Sequence, residues 1–282
     1  MYVIISLLTL VAALTFNICF GARLQSRLQL TGMCLTELVL LVCFLLGACA
    51  MILFSRRHPT ERGRELDLYE ISSLRPASPR HTLGSFLLMA GGFLGSMLYT
   101  SLAARLFPAQ VQQASDGMLA VLYANSLPML LIGTAFFPAV CEELLFRGLI
   151  QYSFTRHASA RYAVVATALL FGSFHLTPVR VPLTMLTGLL LGYALVRSHS
   201  IFMPMLMHLF NNALSAILSW YEPSIPLSTA IAAPILGLGS LILLGLGAFL
   251  LEQDAAASLS RHRVTVLVTA GVIVCMTAAL IV

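Results

Sequence analysis

The chain of 282 residues contains no lysine, and all 16 of its basic residues are arginine. A Walker-type phosphate loop and a Schiff-base lysine are thereby excluded. Charge of either sign is scarce, at 10% of residues, against about 25% in soluble domains. Such a chain has too little polar surface to face water on all sides. The three aspartates, Asp67, Asp116 and Asp254, all fall between apolar windows, which leaves no intramembrane aspartate pair. No HExxH and no GxSx serine setting occurs, so zincin and rhomboid-like chemistries have no anchor. The six cysteines, Cys19, Cys34, Cys43, Cys49, Cys141 and Cys275, form no CxxC and lie in or beside apolar stretches. They read as small core residues, without a disulfide framework or zinc knuckle.

Apolar residues make up 59% of the chain. They are grouped into windows mostly near the length of about 20 residues that crosses a hydrocarbon core of about 30 Å. The expected fold is all-α, a polytopic transmembrane helical bundle of about 8–9 spans in the lipid bilayer. Candidate spans lie near residues 2–22, 33–54, 83–106, 119–154, 162–177, 181–197, 201–220, 228–251 and 264–282. The first window has no basic segment ahead of it and no small-residue cleavage site, so it reads as a span and not a removed signal. The window 119–154 is long enough for one broken helix or two short spans, with Pro128 and Pro138 as kinks within it.

Arginine placement decides between them, because basic residues are enriched in cytoplasmic loops. With one span there, Arg56, Arg57, Arg62, Arg64, Arg75, Arg80, Arg156, Arg161, Arg197, Arg261 and Arg263 share one side, and only Arg23, Arg27, Arg105 and Arg180 the other. Two spans would mix the sides. The asymmetric arrangement puts the N-terminus in the cytoplasm. The net charge of +5 is thus an orientation signal, not a nucleic-acid surface. The organisation expected is an N-terminal set of spans over 1–117 with a cytoplasmic basic loop at 55–82, a core over 118–220, and C-terminal spans over 221–282. Gly188 with Gly192, and Gly91 with Gly95, mark close helix packing.

An ionisable side chain inside a span costs at least about 2 kcal/mol, so each one is a functional candidate. Apart from arginines at span ends, the candidates are Glu37, Glu142, Glu143, Arg147, His175 and His208. Glu37 falls near a span end, where it can reach the interface, and reads as structural. Glu143 and Arg147 are i and i+4, on one helix face, and can pair. Glu142, turned about 100° away, is left as a buried carboxylate fit for general-base work. The same spacing relates Phe171 to His175 and His208 to Asn212. Counted along their helices, Glu142, His175, His208 and Asn212 come to comparable depths. A buried hydrolytic site or a proton relay of a transporter would both use such a set.

The segment Glu142-Glu143-Leu144-Leu145-Phe146-Arg147 resembles the EExxxR motif of the CPBP family of intramembrane proteases, which includes the CAAX prenyl endopeptidase and bacteriocin-processing relatives. Phe171 to His175 resembles its FxxxH motif and His208 to Asn212 its HxxxN motif, in the family's order. The resemblance covers about residues 118–220. It implies that Glu142 and His175 activate the attacking water, that His208 and Asn212 stabilise the oxyanion, and that Glu143, Arg147 and Phe171 support the site. It also implies hydrolysis with no required cofactor. Zinc held by Glu142, His175 and His208 is the alternative metal site. The substrate expected is a membrane-anchored protein or peptide. Arginine-only basic usage fits a GC-rich bacterial genome and hence the bacterial inner membrane. A non-catalytic immunity factor or scaffold of the same family is the rival reading.

Overall fold

The computed structural model describes residues 1–58, 66–221 and 229–252. Among them are ten helices and no strand. They are α1 (Tyr2–Phe16, extended by a π-turn over Asn17–Gly21), α2 (Ala22–Arg57), α3 (Leu68–Ser72), α4 (Pro79–Leu106) and α5 (Pro108–Tyr123). They continue with α6 (Leu127–Thr155), α7 (Ala160–Phe174), α8 (Val181–Ser198), α9 (Phe202–Tyr221) and α10 (Thr229–Glu252). Among the described residues six stretches are long and apolar enough to cross a membrane: Tyr2–Gly21, Leu30–Arg57, Pro79–Leu106, Leu127–Thr155, Val181–Ser198 and Ala233–Glu252. The chain is an integral membrane helical bundle. In such a setting every backbone donor must be satisfied within its own segment, which is why the apolar runs are helices. The expected span 264–282 lies outside the described residues, as do Arg62, Arg64, Arg261 and Arg263.

The window 119–154 resolves differently from its expected bounds. Residues to Tyr123 finish α5, and one continuous helix begins at Leu127. Pro128 is therefore no kink. It sits in the first turn of α6, where a missing N–H costs nothing. Pro138 does lie inside α6, between two π-helical stretches, Ile132–Phe136 and Leu144–Gln151. Wider turns of this kind recur at functional sites.

The outer helices bury one stripe, whereas α6 is buried all round over Leu145–Gln151. On α1 the stripe is Tyr2, Ser6, Leu10 and Ala13, while Ile4, Leu8 and Val11 stay exposed. Those exposed residues are what a lipid-facing side requires. Ser6 Oγ and Ser153 Oγ, 2.8 Å apart, tie α1 to the end of α6. Helices α4 and α10 run antiparallel with almost no gap: a methyl at Gly91 would lie 2.7 Å from the backbone nitrogen of Leu244, and one at Gly247 would lie 2.5 Å from that of Leu88. Ser240 Oγ donates to the carbonyl of Gly91 at 2.7 Å. Helices α2 and α6 run parallel, Cys34 beside Gly133 and Phe44 beside Gly148.

Helix α7 has 15 residues, about 22 Å, and is too short to cross a core of about 30 Å. It starts near the end of α6, so its last turn stops inside the membrane. Its stop is made by Leu176 at φ 55°, the left-handed conformation that commonly ends a helix. Glu142 lies about 20 Å back from the end of α6. The truncation thus brings His175 to the level of Glu142 instead of to the interface.

Candidate active site

Helix α6 supplies two adjacent carboxylates, both buried: Glu142 is 7% exposed and Glu143 0%. Two such charges in a membrane need partners. Glu143 has them. Its Oε1 accepts from Arg147 Nη1 at 2.8 Å and from His208 Nδ1 at 2.7 Å. The i,i+4 pair expected from spacing is present, with both side chains sealed from solvent.

Arg147 is held from three sides. Beyond Glu143, its Nη2 donates to the carbonyl of Gly188 at 3.3 Å, and its guanidinium stands 4.3 Å from the centre of the Phe171 ring. Gln151, one turn on, repeats the pattern by donating from Nε2 to the carbonyl of Gly192 at 3.1 Å. Both glycines sit in close contact with their neighbours. A methyl at Gly188 would meet Ala168 Cα at 3.1 Å, and one at Gly192 would meet Gln151 Oε1 at 2.8 Å. Gly188 and Gly192 are therefore close-packing points, as their spacing predicts. Gln151 was not among the sequence candidates, and its place one turn after Arg147 was the available signal.

Phe171 is the hub between the histidines. Its ring meets His175 edge-on at 4.9 Å and His208 at 6.0 Å. His175 caps α7 and is partly buried. Its Nδ1 lies 2.9 Å from the carbonyl of Phe171. A carbonyl only accepts, so Nδ1 carries the proton and, in the neutral ring, Nε2 keeps its lone pair.

His208, 4% exposed on α9, stands between the two glutamates. Nδ1 binds Glu143, and Nε2 lies 4.0 Å from Glu142 Oε2. That second separation is too long for a hydrogen bond. Glu142 Oε2 is buried with no hydrogen-bond partner. Asn212, one turn beyond His208, donates from Nδ2 to the carbonyl of Thr134 at 3.2 Å and receives Asn211 Nδ2 on its Oδ1 at 3.1 Å. Thr134 stands four residues before Pro138, so its carbonyl is the one whose α-helical donor proline removes. The proline-interrupted stretch of α6 and the last motif residue on α9 are thus joined.

Among the described residues, no three His, Cys, Asp or Glu side chains gather closely enough to hold a metal ion. Glu142, His175 and His208 are not grouped in that way in this structure.

Glu37 lies seven residues into the apolar stretch Leu30–Arg57, partly buried, with Oε2 buried and without a hydrogen-bond partner.

Residues 124–214 match the Rce1-like family model, described as type II CAAX prenyl endopeptidase Rce1-like. That stretch includes Glu142, Glu143, Arg147, Phe171, His175, His208 and Asn212, and the match shows the likeness to the CPBP family that the three motifs carry. Neither a curated protein nor a solved structure matches the chain significantly.

Proposed function

With residues 124–214 matching the Rce1-like type of the CPBP family, we propose that the chain is an intramembrane endopeptidase. It hydrolyses a peptide bond of a membrane-associated protein or peptide with water activated at Glu142. The observation that carries this reading is the division of labour between the two carboxylates: Glu143 is consumed by Arg147 and His208, while Glu142 Oε2 is buried, unbonded and 4.0 Å from His208 Nε2.

In this reading Glu142 accepts a proton from water as the oxygen attacks the carbonyl carbon, and His175 Nε2 helps orient that water. Negative charge then gathers on the carbonyl oxygen. His208, protonated and held through Nδ1 by Glu143, offers Nε2–H to it. Asn212 keeps one N–H beyond the one given to Thr134 and offers that as well. Glu142 returns its proton to the leaving nitrogen as the C–N bond breaks. Every proton transfer runs through side chains, so no metal is required, and catalysis survives exhaustive chelation. The arginine asymmetry supports a cytoplasmic N-terminus, and arginine-only basic usage fits a bacterial inner membrane.

The test compares membrane proteomes of cells carrying the wild type, Glu142→Gln or His175→Ala, each inserted at equal level. Uncleaved precursors accumulate with both variants. Identical proteomes would remove proteolysis as the function and leave a scaffold.

A further inference from the structure

Helix α5 takes no part in the reaction above, yet it lies between the two arms that carry His175 and Asn212. One arm is the turn after α7. A methyl at Gly172 would lie 3.0 Å from the carbonyl oxygen of Val181, so α8 begins against α7 three residues before His175. Arg180, the residue ahead of Val181, donates from Nη2 to the carbonyl of Ala114 on α5 at 2.9 Å. The other arm is α9. Leu122 of α5, Leu130 of α6 and Ala216 of α9 form one buried apolar cluster. Leu130 stands one turn before Thr134, and Ala216 one turn after Asn212, whose Nδ2 bonds the Thr134 carbonyl. Ala114 and Leu122 are about 12 Å apart along their helix. Helix α5 thus bridges the His175 arm and the Asn212 arm at the end of the site where α7 stops.

The two anchors are unlike. Leu122 is seated in the bundle at 2% exposure. From Pro108 to Gly117, by contrast, every residue is exposed except Val111 and Ala114, which are half-buried. A methyl at Gly117 would meet nothing within 4 Å. Phe107 alone joins this half to α4. The turn that carries Arg180 is fixed independently, because Tyr99 on α4 donates its hydroxyl to the carbonyl of Val179 at 2.7 Å. A segment that buries few apolar contacts opens locally at low cost. Here one hydrogen bond from a charged donor adds most to that cost.

We propose that α5 is a lid over this end of the site and that Arg180 is its latch. With the Arg180 bond made, the 108–117 half closes the space between the two arms. With it broken, that half bends away at Phe107 while Leu122 stays seated, and a peptide reaches Glu142. Closure behind the peptide keeps bulk water from the reaction. The kinetic consequence rests on the peptidase reading, whereas the latch is a property of the resting protein.

Two measurements on the full chain in lipid vesicles test it. The first is amide hydrogen exchange read by mass spectrometry. Arg180→Met keeps an unbranched stem and removes the donors, so exchange over residues 108–117 is expected to quicken about tenfold while that over 202–212 stays as in the wild type. Arg180→Lys, which keeps a donor, is expected to fall between. Unchanged exchange over 108–117 in Arg180→Met overturns the lid, and so does a rise shared equally with 202–212 in both variants. The second is cleavage of a precursor that accumulates in Glu142→Gln membranes. Arg180→Met is expected to lower KM by up to about tenfold with kcat unchanged, because less of the protein is held closed. A raised KM overturns the latch and makes Arg180 a substrate contact instead. Failure of the peptidase reading looks different: the wild type and Arg180→Met then cleave nothing, while exchange over 108–117 still responds to Arg180→Met.

Discussion

His208 donates from Nδ1 to Glu143 Oε1 at 2.7 Å, across 65 residues of sequence and from one helix to another. The second glutamate of the pair therefore does more than neutralise Arg147. It fixes which face of the imidazole is turned to Glu142. Glu143→Gln keeps the shape but withdraws the charge that both Arg147 and His208 lean on. Leaving a buried arginine uncompensated costs about 3–5 kcal/mol. The variant is expected to unfold at lower temperature in detergent and to lose peptidase activity. Differential scanning of purified protein, alongside precursor cleavage, checks both.

Asn212 and Pro138 make a second prediction. Asn212→Asp preserves Oδ1, the acceptor for Asn211, and removes Nδ2, the donor to Thr134. The expected outcome is a fall in kcat of about tenfold or more, from a lost hydrogen bond to a charged transition state. Asn211→Ala, which leaves the Thr134 contact in place, is expected to retain most of the activity.

Glycine contacts predict a sharp contrast along one helix. A methyl at Gly247 would press on the backbone of α4, whereas at Gly245 nothing lies within 4 Å. Gly247→Ala is expected to destabilise by about 1–3 kcal/mol, the cost of overpacking. Gly245→Ala, two residues away, is expected to be neutral. Thermal unfolding of the two purified variants measures the difference.

Phe171 carries Arg147 on its face and presents its edge to both histidines. Phe171→Ala empties a fully buried position and costs about 3–5 kcal/mol. Phe171→Leu refills much of that volume but offers no ring to the guanidinium. It is expected to recover most of the stability and less of the activity, which paired melting and turnover measurements separate.

Features set by one helix were legible in the sequence. The long apolar runs placed the six candidate spans, and the i,i+4 rule placed Arg147 beside Glu143. The bounds of α6 were misread because α5 ends in apolar residues, and composition cannot tell a window that folds back from one that continues. Contacts between helices were not legible. Nothing in the spacing of His208 shows that it bonds Glu143, or that Gln151 reaches Gly192.

The central claim is that Glu142 is the base for peptide hydrolysis inside the membrane. Its most direct test uses purified wild type and Glu142→Gln in lipid vesicles, each given a precursor that accumulates in Glu142→Gln membranes. Mass spectrometry then searches for newly formed peptide termini. The account predicts new termini with the wild type and none with Glu142→Gln. Equal cleavage by both proteins, or no cleavage by the wild type, would contradict it.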